Sequence, residues 1–564
     1  VAQAPQRRSR QVYWIYGTNG NDKNIFIYLY FMLKHLFAFC LVWISFSSYS
    51  QRTIDVLHYD FEIAVNDNDD SIRGKATIFV LVNRQTDSIV FNLKSLDRRN
   101  RGMIVTGTNA IKSNSSVAST SHLKDQLIFA FKSPFVSGDT VIISINYKGV
   151  PADGLIISKN KYRRRTFFAD NWPNRGQNWI PCVDDPADKA SVDFIVKAPD
   201  HYQVVSNGVL VEETNLPENR KLTHWKEDVP IATKVMVIGV ADFAVNLSSV
   251  VDNCIPVYAW VYPEDRDKGF YDLALTTDML SFFIKNVGPY GYKKLANVQS
   301  KTMFGGLENA NTIFYNENYI TGTRYYEETF AHEVAHQWFG NMATEKSFAH
   351  LWLSEGFATY MATLYMEYKY GPGRARAILI GDRDTVIDYA RFSDLPVVDE
   401  KTTDYMSLLN VNSYQKGGWV LHMLRRQLGD SIFWKGIRNY YSIYAGKNAD
   451  THDLQVVFEK ASGKNLSTFF KQWLYSPGIP KLDVGWTYLA KEKKILITVK
   501  QLQENAFTFP LELQLQSETG NNQLAGIKIS KPEETFFVPA KEKISSVILD
   551  PNISLLFEGR ISLK

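Results

Sequence analysis

Cysteine is scarce in this chain: 564 residues carry three. That scarcity excludes a disulfide-stapled scaffold and any metal cluster built from cysteine alone. Histidine is sparse too, at ten, so a cluster of it stands out. Net charge is almost missing. The formal +4 arises in the first fifty residues, where Arg7, Arg8, Arg10, Lys23 and Lys34 face one acid, Asp22; the rest of the chain holds 58 basic and 58 acidic side chains. A neutral body excludes nucleic acid as the general partner, because phosphate binding is driven by clustered cations. The tightest basic run beyond residue 50, Arg163-Arg164-Arg165, reads as a solvated loop. Long apolar runs are absent beyond residue 50 as well: nothing there reaches the roughly 18 uninterrupted apolar residues of a spanning helix, so no stable membrane insertion of the mature chain is expected. No internal repeat is visible. The remaining composition, 45% hydrophobic and 22% charged, is that of a folded protein, and the length calls for two to four domains.

Residues 1–50 have a different texture. From Met32 the pattern is that of a secretory signal: Lys34 and His35, then the apolar run Leu36–Phe46, then Ser48-Tyr49-Ser50 with small residues at the two positions a signal peptidase inspects. The mature chain is expected to begin near Gln51, with residues 1–31 as upstream sequence and the protein secreted or periplasmic. The competing reading is an N-terminal membrane anchor, since apolar residues extend back through Ile25–Phe31. Lys34 and His35 interrupt that stretch at a cost a spanning helix rarely tolerates. Cys40 falls in this leader, which leaves Cys182 and Cys254 to pair or stay free.

From 51 to 246 the signals are those of strands. Tyr59–Val65 alternates polar and apolar residues, Ala76–Val82 and Val141–Tyr147 do so in part, and Val235–Val245 is rich in β-branched residues. Turn sequences such as Asn66-Asp67-Asn68-Asp69-Asp70 separate them. A large antiparallel β domain is expected, with the Ser/Thr/Asn-rich segment 107–122 as a loop or ragged edge. From 247 to 479 helical spacing takes over, in Leu273–Asn286, Tyr325–Phe339, Ser354–Tyr370, Ser413–Leu428 and Ser467–Tyr475. After Pro477-Gly478-Ile479-Pro480 strands return at Lys494–Val499, Leu511–Leu515 and Ile544–Leu549, and residues 480–564 read as a small β-sandwich. The fold class is therefore multidomain α+β.

The strongest chemical signal is His332-Glu333-Val334-Ala335-His336. Histidines at i and i+4 share one helix face a turn apart, so two imidazoles can reach one tetrahedral zinc while the intervening glutamate addresses the water that the zinc activates. A third ligand, a carboxylate or histidine, should follow beyond this helix. Glu355, after eighteen intervening residues, opens the next helix, and that separation accommodates a helix end, a loop and an antiparallel return. Two imidazoles and one carboxylate leave a fourth position open, the mark of a catalytic zinc and not a structural one. One zinc ion per chain is expected.

These residues, with Gln337-Trp338-Phe339-Gly340-Asn341 and Trp352-Leu353-Ser354-Glu355-Gly356-Phe357 around them, resemble the gluzincin zinc aminopeptidases, the family of aminopeptidase N and leukotriene hydrolase. Gly305-Gly306-Leu307-Glu308-Asn309 looks like that family's exopeptidase motif, with Leu307 in place of the usual methionine. Tyr414-Gln415-Lys416-Gly417 is similar to the segment that supplies its catalytic tyrosine, and Pro181–Pro186 is a further matching block. The resemblance spans about residues 52–564 in the family's order. It implies a β-saddle domain, a thermolysin-like, mostly helical catalytic domain and a β-sandwich, in a short bacterial-type member without the large C-terminal helical domain of longer relatives.

The resemblance implies a peptidase that removes N-terminal residues. Zinc on His332, His336 and Glu355 polarises the scissile carbonyl, Glu333 is the general base, and Tyr414 donates to the oxyanion. Glu308, with Asn309 in the same motif, is expected to hold the substrate's free α-ammonium. Gly305 and Gly306 let a peptide lie against an open strand edge. Where many relatives add a glutamine for the amine, the matching place falls near Asp170, which takes that role here or serves as a structural loop acid. Alternatives are a zinc endopeptidase, which Glu308 argues against, and a catalytically silent peptide-binding relative. Leu409 stands where epoxide-hydrolysing relatives carry a second tyrosine, which argues against that chemistry. The expected partners are peptides with a free N-terminus.

Overall fold

The structure is a computed structural model that describes residues 52–112 and 115–564. The expected leader, residues 1–50, lies outside these. The first half is built on a seven-stranded sheet. Its strands run, edge to edge, Val209–Leu216, Arg220–Ala232, Lys189–Pro199, Ile54–Ala64, Ile72–Val82, Thr140–Val150 and Gly102–Lys112. Alternation sets its inner face: Tyr59, Phe61 and Ile63 are buried while Asp60 and Glu62 are only half-buried. Phe61 stacks on Phe194 of the neighbouring strand, ring centroids 5.4 Å apart. That neighbour corrects one expectation. Ile54–Ala64 and Lys189–Pro199 run parallel, Phe61 opposite Phe194, so the sheet is mixed and not purely antiparallel. Period-two patterning fixes which face a strand buries and is silent on its direction.

A four-stranded sheet (Gln203–Ser206, Ile238–Ala241, Arg165–Ala169, Leu155–Lys159) and a three-stranded one (Thr86–Asn92, Gln126–Phe135, Val117–Leu123) complete this half. The segment expected as a loop or ragged edge, 107–122, falls on sheet edges: it supplies the ends of two strands, Gly102–Lys112 and Val117–Leu123, each the outermost of its sheet. The second is an edge strand paired to Gln126–Phe135 with most of its side chains exposed. Serine and threonine on an exposed edge satisfy strand geometry without the apolar alternation that announces it. Arg164 and Arg165 are not merely solvated: Arg164 pairs with Asp242 at 3.0 Å and Glu264 at 2.7 Å, and Arg165 with Asp70 at 2.6 Å. Cys182 is buried and Cys254 exposed, both as free thiols.

A five-stranded sheet follows, in the order Ala244–Val251, Ile255–Val261, Leu295–Ser300, Thr312–Asn316 and Gly306–Leu307. The last strand, two residues long, is an antiparallel edge. The helices are α1 (Arg266–Leu273), α2 (Thr276–Asn286), α3 (Glu327–Ala335), α4 (Trp352–Tyr370), α5 (Pro372–Tyr389), α6 (Gly417–Leu428), α7 (Asp430–Tyr444), α8 (Thr451–Ser462) and α9 (Ser467–Phe470). α4 is buried from Trp352 to Phe357 and on to Met366 with one half-buried position, Thr359. It is apolar on nearly all sides, as a helix surrounded by other helices must be. Helices α1, α5, α7 and α8 lay outside the sequence expectations. α5 buries only Ala375, Leu379 and Val386, too thin a stripe to read, whereas α7 and α8 bury Phe433, Ile437, Tyr440 and Leu454, Val457, Phe458 at helical spacing that went unread. Residues 412–416 form a π-helical turn that leads into α6.

The C-terminal region holds two sheets. One runs Glu533–Pro539, Lys494–Gln501, Lys481–Leu489, Glu558–Leu563, and the other Asn522–Ile529, Phe509–Ser517, Ile544–Leu549. Ile495, Ile497, Val499, Leu511, Leu513 and Leu515 are all buried, the alternate positions of their strands. Among the described residues no helix is long and apolar enough to cross a membrane.

Candidate functional site

Helix α3 carries His332 and Glu333, and His336 caps its C-terminal end. One helical turn brings the two Nε2 atoms to 3.0 Å from each other. Glu355 arrives from the first turn of α4, with its Oε2 at 3.2 Å from both. Three lone-pair atoms thus form a nearly equilateral triangle. Ligands at zinc-type bond lengths around a tetrahedral ion stand about 3.3 Å apart, so this donor set fits a metal ion. The rest of the site aims the triangle. His336 Nδ1 lies 3.1 Å from the Phe339 carbonyl and 3.1 Å from Ser354 Oγ. A proton on Nδ1 donated to that carbonyl turns the Nε2 lone pair inward. Gly340, at φ 110°, makes the turn possible: a Cβ there would sit 2.2 Å from Ser354 Oγ.

The triangle opens into a cleft of about 500 Å³. Its lining includes Glu308, Glu333, Tyr414, Leu409, Gly305 and Gly306 with the three ligand residues, so sequence-distant motifs do converge. Glu333 is buried and its Oε2 has no hydrogen-bond partner. Burial pushes its carboxyl well above the ordinary range; His336 opposes this, while Glu308 and Glu355 add to it. Glu308 is buried with Oε1 unpartnered. Burial raises its pKa, against the pull of His336 and of Lys234. Burial likewise holds the Glu355 pKa up, but the two imidazoles outweigh it and drive it down. Tyr414 stacks on His332, ring planes 8° apart and centroids at 5.8 Å. Burial first, and then the three carboxylates, keep its hydroxyl protonated far above neutrality.

Gly306 forms the edge strand directly over Glu333. A Cβ there would meet Glu333 Oε1 at 2.2 Å, so no side chain fits. Gly305 sits as tightly under the Tyr319 hydroxyl. Two residues that the sequence reading did not single out hold this strand: Asn341 Nδ2 donates to the Glu308 carbonyl at 2.6 Å and Gln337 Nε2 does so at 3.1 Å. A further residue not singled out is Lys234, buried and paired to Glu345, whose ammonium acts electrostatically on Glu308 and Glu355. Spacing within the motif could have suggested Gln337 and Asn341; nothing local marks Lys234, which comes from the β half.

Two expected residues are placed elsewhere. Asn309 is fully buried, with neither side-chain amide atom partnered, and does not line the cleft. Asp170 is fully buried too. Its carboxylate pairs with Arg175 and accepts from Thr302 Oγ1 at 3.0 Å and Met303 N at 3.4 Å. Both oxygens are thus occupied and the structure does not bring Asp170 to the cleft wall, where Trp172 stands instead.

A helical region that sets two histidines and a glutamate in one cleft, preceded by a multi-sheet β region, defines a class, and similarity to known proteins agrees with it. The peptidase family M1 domain matches residues 271–473 and the peptidase M1 N-terminal domain residues 56–235. Aminopeptidase M1-D of Oryza sativa subsp. japonica is 28% identical over 321 residues, 54% of this chain and 36% of that protein. Glutamyl aminopeptidase of Bos taurus is 26% identical over 343 residues, 58% and 36%. Aminopeptidase 2 of Candida albicans is 26% identical over 455 residues, 76% and 48%. The matches thus span between about a third and a half of these relatives' length. The chain belongs to peptidase family M1.

Proposed function

We propose that the protein is a zinc-dependent aminopeptidase that hydrolyses the first peptide bond of chains with a free N-terminus. The observation that carries this reading is the triangle of His332, His336 and Glu355 beside two buried carboxylates with unpartnered oxygens, Glu333 and Glu308. A zinc ion held by the three would supply Lewis acidity, polarising a carbonyl and acidifying a water. Glu333, held above the usual carboxylate range, takes the proton of the attacking water and returns it to the leaving amine. Tyr414, fully protonated, donates to the oxyanion that forms. Glu308 pairs with the α-ammonium, which supplies the counter-charge its buried oxygen lacks. The open edge at Gly306–Leu307 receives the peptide backbone as an added strand.

The finer architecture belongs to the same reading: a β-saddle domain over 51–246, a thermolysin-like catalytic domain over 247–479 and a β-sandwich over 480–564. So does export, with cleavage near Ser50-Gln51. The test is hydrolysis of aminoacyl amides and of their N-acetylated counterparts, before and after chelation. The expected result is release from free-amine substrates alone, abolished by chelator and restored by zinc. Equal cleavage of acetylated substrates, or indifference to chelator, would overturn the reading.

A further inference from the structure

The cleft has two ends, and α3 defines them. Glu328, His332 and His336 follow at intervals of four, so they lie along one face of the helix at successive turns. Glu308 belongs to the His336 end: its backbone carbonyl accepts from Gln337 and Asn341, the residues directly after His336 along the chain and five beyond it. Glu328 lies at the opposite end, one turn before His332, and also lines the cleft. Facing it from α5 is a second acid of the cleft wall, Asp382.

The two acids differ in their surroundings. Arg374 reaches Glu328 Oε2 from the solvent side at 3.1 Å, both side chains being half-exposed. Asp382 has no such partner among the described residues. Burial raises its carboxyl to about 7, and the charged group acting on it is Glu328, of the same sign. Elsewhere in the cleft every acid has a resident cation or an assigned task. Thr359 and Ala362 of α4 floor this end with small side chains, and the ring of Tyr325, 79% exposed, stands at its mouth. A long cationic side chain fits that description: room along the floor, a ring for its stem or guanidinium, and a carboxylate that lacks a counter-charge.

We propose that Asp382, with Glu328 beside it, receives a cationic side chain on the leaving side of the scissile bond, so that the enzyme favours peptides whose second residue is lysine or arginine. The inference rests on the aminopeptidase reading. If the α-ammonium sits at Glu308, the first residue occupies the His336 end and the chain continues past the triangle towards Glu328 and Asp382. The second side chain is the first to come within reach of them.

The experiment compares Ala-Lys-Ala, Ala-Arg-Ala, Ala-Leu-Ala and Ala-Glu-Ala on the zinc-loaded full chain, following release of alanine. The expected kcat/KM is roughly tenfold or more higher for lysine and arginine than for leucine, the scale of a charge-assisted hydrogen bond away from bulk water. Glutamate should be the poorest. Asp382→Asn should bring the lysine-to-leucine ratio close to one, and Asp382→Lys should make glutamate the preferred second residue. A ratio near one in the wild type overturns the inference without recourse to any variant, and so does a full ratio retained in Asp382→Asn. Hydrolysis without a basic preference removes this inference alone. No hydrolysis of any of the four removes the aminopeptidase reading and this inference with it.

Discussion

On the proposed mechanism, Glu333 is the residue whose removal should separate metal binding from chemistry. It touches none of the three ligand positions through a hydrogen bond, and its Oε2 is free. Glu333→Gln keeps the volume and abolishes proton acceptance. The expected outcome is a loss of about 10²–10⁴-fold in kcat on an alanyl amide, with one zinc per chain retained by elemental analysis. Loss of zinc together with activity would instead make Glu333 a structural partner of the ligands. At this scale the sequence was legible where chemistry is local. His332 and His336 are a turn apart on one helix, so their convergence follows from helix geometry alone. Glu328 carries the same i−4 signal and went unread because a lone acid one turn before a histidine is common. Asp170 shows the opposite limit. Its position in the chain was compatible with the amine site, but only the fold reveals Arg175 and Thr302 against its carboxylate.

At the scale of elements, the edge strand Gly306–Leu307 and helix α3 are fitted to each other through the missing side chain at Gly306. Gly306→Ala places a Cβ 2.2 Å from Glu333 Oε1, so the carboxylate or the strand must shift. If Glu333 is the base, as proposed, displacing it by about an ångström costs on the order of a hundredfold in rate. Overpacking of this kind costs roughly 1–3 kcal/mol of stability. Both should appear in the variant, as a drop in kcat and a lower urea midpoint, with zinc content unchanged. Unaltered turnover would show that the strand yields freely and positions nothing. Elements were readable in the sequence when they bury a full face, as Tyr59–Val65 and Ser354–Tyr370 do. They were not readable when burial is slight, as in α5 and the exposed strand Val117–Leu123, while α7 and α8 were missed although each buries a stripe. The parallel pairing of Ile54–Ala64 with Lys189–Pro199 joins segments more than a hundred residues apart, and no local pattern encodes it.

At the scale of the whole molecule, the turn that carries Tyr414 is tied to the connection leading into the C-terminal sheets. Lys416 closes the π-helical turn, is buried, and donates from Nζ to the Gly478 carbonyl at 2.9 Å, with no carboxylate beside it. Burial alone pulls its ammonium down to about 8 from the usual 10.5. The sign of the linkage follows. Between pH 8 and 10.5 the unfolded chain holds the proton that the folded chain has released, so the unfolded state binds more protons and stability gains with rising pH. Below pH 8 both states are protonated, and the full cost of burying the charge remains. Lys416→Met removes this titration while keeping an unbranched stem in place. The difference in urea midpoint, wild type minus Lys416→Met, should therefore increase from pH 8 to 10 and stay flat from pH 6 to 7.5. Taking the difference cancels every other titrating group, including the buried acids of the cleft. A difference that is flat throughout would mean that Lys416 stays charged in the folded protein and that water reaches the joint between the turn carrying Tyr414 and the C-terminal region. That joint would then be a loose contact, unable to hold Tyr414 over His332 by way of the Gly478 carbonyl.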